Sequence, residues 1–116
     1  MLARIGNLHQ ELGEEAAALK AAKEGVEILV ALAEPPTASL SHLFGACRWL
    51  SETAVTSVRK PGLAAVFCQR AIDMTKGEDP DGWEGLSSAR AQLGDHRGAI
   101  EAAKRAIKLQ IGRAHV

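Results

Sequence analysis

The run Asp79-Pro-Asp-Gly-Trp-Glu-Gly-Leu-Ser-Ser-Ala-Arg-Ala-Gln-Leu-Gly-Asp-His-Arg-Gly-Ala-Ile-Glu-Ala-Ala-Lys-Arg-Ala-Ile-Lys-Leu-Gln110 decides the fold. Asp79 is an N-cap residue, and Pro80 stands at the one helical position that suits proline, so a helix starts here. Trp83, Leu86, Arg90 and Leu93 recur at three-four-three spacing, one stripe of that helix. Gly94 supplies a left-handed stop and Asp95 caps a new start. Ala99, Ile100, Ala103, Ala106 and Ile107 form a second stripe, while Glu101, Lys104, Arg105 and Lys108 take the other face. Two antiparallel helices joined by a short turn are predicted.

The same design lies over the N-terminus. Leu2, Ile5, His9 and Leu12 make a stripe, Gly13 the stop, and Glu14 and Glu15 an acidic first turn. A second helix then carries Ala18, Leu19, Ala22, Gly25, Val26 and Leu29. A middle copy places Leu40, Leu43, Phe44, Cys47 and Leu50 on one helix and Ala64, Cys68, Ala71, Ile72 and Met74 on the next, with Gly77 ending it. Ala64 to Ala99 spans 35 residues but Ala18 to Ala64 spans 46, so extra residues loop out at Pro35-Pro36 and over 52–60. Pro61 marks a helix start. The expected architecture is all-α: about three hairpins, 1–34, 37–77 and 79–110, with six helices.

Composition agrees and excludes several function classes. The 116 residues hold 14 basic and 14 acidic side chains, no Tyr, two Phe and two Trp, which suits one helical domain. No segment concentrates positive charge, so nucleic acid is not an expected partner. The apolar run over 28–33 is far shorter than the roughly 20 residues of a membrane span, and no charged start and apolar middle of a signal peptide is visible. A cytoplasmic protein is expected, with Cys47 and Cys68 as buried free thiols and no disulfide. His9, His42 and His96 are dispersed, so no metal is expected. Asp79-Pro80-Asp81-Gly82 lacks the later oxygens of a calcium loop and reads as capping. No nucleophile sits beside a base and no phosphate loop occurs, so neither an enzyme nor a cofactor is expected.

These residues resemble the tetratricopeptide repeat, which pairs a bulky residue, a leucine, a bend glycine and alanines where two helices approach closely. Trp83, Leu86, Gly94, Ala99 and Ala106 match it in the last copy, and Ile5, Gly6, Gly13 and Ala18 in the first. The middle copy lacks the bend glycine. Gly25 stands for an alanine, and the closing proline is missing after Leu32 and Met74. The resemblance implies a right-handed α-solenoid whose first helices line a concave groove for a peptide or protein segment. It carries that role onto Asn7, Gln10 and Glu11; His42, Ala46 and Trp49; and Glu84, Ser88 and Gln92. Trp49 either binds the partner or covers the 52–60 loop. Of the clamp that chaperone-tail binders use only Asn7 is kept; Ala3, Asp81 and Gly85 replace basic positions, which disfavours a terminal carboxylate. Glu11, Asp81 and Glu84 instead suit a partner of basic character.

Ile111 to Val116 resembles a translated sequencing adapter, so 111–116 is expected to be a non-native tail and the natural protein to continue past Gln110. The expected function is a non-catalytic scaffold for protein–protein interaction, a piece of a larger bacterial multidomain protein. The rival expectation is a structural segment of a longer solenoid, able to self-associate through an uncovered C-terminal hairpin.

Overall fold

A computed structural model describes the backbone of residues 2–114 and the side chains of 11–113. It contains five α-helices, α1 (Leu2–Ala33), α2 (Leu40–Glu52), α3 (Pro61–Met74), α4 (Pro80–Gln92) and α5 (His96–Ala114), with a 3-10 turn at Thr56–Val58. No strand occurs among the described residues. Helices pack in chain order, α1 on α2, α2 on α3, α3 on α4 and α4 on α5, with α2 also touching α4. The result is elongated, 59 × 29 × 29 Å.

The last hairpin forms as the local signals require. Asp79 accepts a hydrogen bond from the Asp81 amide at 2.9 Å, and Pro80 opens α4. Gly94 takes φ +83°, the left-handed conformation that costs glycine nothing. Asp95 then accepts from the Gly98 amide at 2.9 Å to start α5. Ser87 donates to the Ala99 carbonyl at 2.7 Å and Arg90 to that of Gly98 at 3.3 Å, so the helices run antiparallel. In the middle hairpin Ser39 caps α2, accepting from the His42 amide at 3.2 Å. Pro61 opens α3. Gly77, at φ +72°, ends the turn after α3, and the Trp83 indole N–H donates to its carbonyl at 3.0 Å.

The N-terminal copy departs from expectation: α1 is one helix of 32 residues that runs straight through Gly13. Five α-helices therefore replace the expected six. The cause lies beside the glycine. Gly94 is followed by Asp95, a side chain that captures an orphan amide, whereas Gly13 is followed by Glu14, Glu15 and three alanines, good helix formers with no short capping oxygen. A helical glycine costs only about 0.5–1 kcal/mol relative to alanine, less than leaving a helix end uncapped and bent. With no chain folded back over it, Ala18 is exposed where its counterpart Ala99 is buried.

The core runs from α1 to α5 through Val26, Leu43, Leu50, Phe67, Ile72, Leu86 and Ala102. Small residues set the closest approaches: Ala64 and Ala71 on α3, and Ala102 and Ala106 on α5, are all buried. Arg70 fastens the stack across its middle. Its guanidinium donates to the carbonyls of Ala33 (2.6 Å), Glu34 (3.3 Å) and Pro35 (2.7 Å), gathering acceptors at the C-terminal end of α1, where Pro35 also accepts from the Ala38 amide at 2.9 Å.

At the centre Cys47 and Cys68 form a disulfide, with Cα atoms 4.8 Å apart and both side chains fully buried. The free thiols expected from the sequence are thus corrected. A separation of 21 residues says nothing against pairing once α2 and α3 lie antiparallel and bring the two positions face to face. The absence of an export motif concerned compartment, and carried no geometric information.

Candidate functional site

The groove expected from the sequence would be lined by α2, α4 and the first helix of an N-terminal hairpin. On α4, Glu84, Ser88 and Gln92 share one face at i,i+4 spacing. Glu84 and Ser88 are half-buried and Gln92 is exposed. Gln92 donates to the Ser51 carbonyl at the end of α2 and lies 3.4 Å from the Ser88 hydroxyl, so this row is ordered against its neighbour. Glu84 accepts from Gln110 of α5. Asp81 is exposed one turn before Glu84.

On α2 the three candidates separate. His42 is exposed, Ala46 is fully buried, and Trp49 is half-buried. Ala46 therefore presents no surface; it fills the α2 core stripe beside Cys47. Trp49 turns toward α1, where its ring lies over Gly25, 3.3 Å from the point a β-carbon there would occupy. Its contact with Gly25 is a third placement beside the two expected, capture of a partner and cover of the 52–60 loop. Trp49 instead wedges α1 against α2, and with Arg48, Glu52 and Thr53 it rims a shallow hollow of about 160 Å³. Arg48 and Glu52 pair across that rim at 3.6 Å.

Glu11 is exposed on α1, while the side chains of Asn7 and Gln10 lie outside the described residues. Glu11 opens a stretch of α1, 11–18, in which every residue is exposed. Gly85, which the sequence comparison set at a position of the carboxylate clamp, is buried against the disulfide and reaches no ligand. What the sequence reading missed is the flank of α1. Lys23, Val26 and Glu27 face Ser57, Val58 and Lys60 across a hollow of about 250 Å³, continued along α1 past Ala16, Leu19 and Lys20. The seven-residue interval of Leu12, Leu19 and Val26 was the available signal.

Among the described residues no three His, Cys, Asp or Glu side chains are placed to hold a metal ion together, and no helix is long and apolar enough to cross a membrane. The candidate surface on α2 and α4 is thus a set of exposed and half-buried polar side chains on an all-helical frame. No family model, no curated protein and no solved structure matches this sequence.

Proposed function

We propose that this protein is a non-catalytic scaffold of tetratricopeptide-like hairpins, a right-handed α-solenoid that takes up a peptide or protein segment along α2 and α4. The observation that carries the reading is a register. Ala64 and Ala71 of α3, and Ala99 and Ala106 of α5, are 35 residues apart pair by pair and all four are buried. A spacing and a packing role that repeat together are what stacked hairpins require. The polar row Glu84, Ser88 and Gln92 is the surface such a stack offers, and Asp81 with Glu84 favours a partner carrying Lys or Arg.

Display selection of peptides against the chain, followed by calorimetric titration of a recovered peptide, tests this reading. Recovered sequences should be enriched in basic residues. Glu84→Lys and Ser88→Arg should each weaken binding about tenfold or more, the equivalent of roughly 1.4 kcal/mol. A peptide whose affinity neither variant changes, or a selection that yields no binder, would remove the groove from consideration.

A further inference from the structure

The two ends of this stack differ in a way that points to a partner. α1 and α3 each lay an apolar side chain on the helix that follows. Leu29 of α1 meets α2 at Gly45, and Ile72 of α3 meets α4 at Gly82. Ile107 of α5 stands 35 residues after Ile72, at the same register, and among the described residues no helix covers it. Ile100 and Ile107 are 55% and 54% exposed, two large apolar side chains along one face. Arg97, Lys104 and Lys108 border that face, and α5 up to Gln110 carries Arg97, Lys104, Arg105 and Lys108 against Glu101 alone among acids.

At the opposite end α1 reaches beyond the body it packs on. Every side chain from Glu11 to Ala18 is exposed, and the large apolar one among them, Leu12, is 61% exposed. Acidic Glu11 and Glu15 lie to one side of it on the helix surface, with no basic residue between 11 and 19. The chain's zero net charge therefore conceals a separation: acid beside a bare leucine at one end, base around bare isoleucines at the other.

We infer that the partner of the α5 face is a second copy of this chain, whose α1 segment around Leu12 docks on Ile100 and Ile107 with Glu11 and Glu15 set against Arg97, Lys104 and Lys108. The contact is head to tail. Each copy keeps one free end of each kind, so assembly is open-ended unless its rotation closes a ring. A symmetric pairing of two α5 faces would cover the isoleucines equally well but would press the same basic row against itself, which costs rather than stabilises. The inference stands apart from the peptide-binding reading, since it uses neither α2 nor α4.

Sedimentation velocity on the full chain tests it. The weight-average mass should climb with concentration without levelling at a dimer. It should fall when salt is raised from about 0.05 to 0.5 M, where the screening length shrinks severalfold. Ile107→Glu blocks one end, and the double variant Glu11→Lys, Glu15→Lys blocks the other. All three positions are exposed, and circular dichroism verifies that the variants keep their helices. Each should be monomeric alone, and an equimolar mixture should form a heterodimer that goes no further. If either variant loses helix, the charge reversals Lys104→Glu with Lys108→Glu replace Ile107→Glu and Leu12→Ser replaces the double variant. A wild-type chain that stays monomeric overturns the inference. So does one that stops at a dimer, or a mixture of blocked variants that fails to associate.

Discussion

Gly85 of α4 stands directly against Cys47 of α2: a β-carbon at Gly85 would overlap the Cys47 sulfur and lie 3.1 Å from that of Cys68. The disulfide and the glycine are therefore one packing unit, in which the absent side chain makes room for the bridge. Gly85→Ala should lower unfolding stability by about 1–3 kcal/mol, the usual cost of overpacking a core. In a Cys47→Ala, Cys68→Ala background the penalty should largely vanish, and denaturant melts of the four proteins measure the difference. Removing the bridge alone should cost about 3 kcal/mol, from the chain entropy that a loop of this length restores to the unfolded state. Thiol titration of the unreduced, denatured protein should find no free cysteine.

Gly13 decides between the straight α1 and a hairpin bent at that residue. A β-carbon on Gly13 meets nothing within 4 Å, and the residue sits inside a helix. Gly13→Ala should raise stability by about 0.5–1 kcal/mol, or raise helix content by circular dichroism if α1 frays before the rest. A loss of stability would mean that position 13 needs positive φ, and would restore the bend.

Trp49→Ala removes the wedge between α1 and α2. Its ring is half-buried over Gly25, so we expect a loss of about 1.5–3 kcal/mol. Hydrogen exchange should quicken over residues 19–33 before it does in α4 or α5. An unchanged melting temperature would instead give Trp49 to an external partner.

Arg70→Ala removes the side-chain donor to the carbonyls of Ala33, Glu34 and Pro35, of which Pro35 keeps the Ala38 amide. A destabilisation of roughly 1–3 kcal/mol follows from losing charge-assisted hydrogen bonds. Arg70→Lys should not rescue it, because a single ammonium cannot reach three carbonyls as a planar fork does. Recovery by lysine would show that charge alone holds the end of α1.

The turns and caps of the hairpin at 79–110 were legible because their signals are local, Asp79, Pro80, Gly94 and Asp95 acting within a turn of themselves, whereas Leu93, Ile100 and Ile107 of the expected stripes are exposed. Gly13 misled because the same residue is tolerated inside a helix, and what separates stop from passage is the capping power of Asp95 against Glu14. The disulfide and the burial of Gly85 and Ala46 depend on how α2, α3 and α4 approach one another, which stripes on single helices do not encode. Trp49 shows the same limit: its place off the core stripe was visible in the sequence, but its neighbour Gly25 follows from how α1 packs on α2.

The Cys47–Cys68 bridge has a mechanical consequence. Were the molecule pulled from its two ends, tension would pass through the sulfurs and skip the 21-residue separation between them. The 3-10 turn and the facing parts of α2 and α3 would bear no load. Because an extended residue spans about 3.3–3.6 Å, some 70 Å of contour would stay hidden until the bridge was reduced. Redox state would then set how far the chain can stretch.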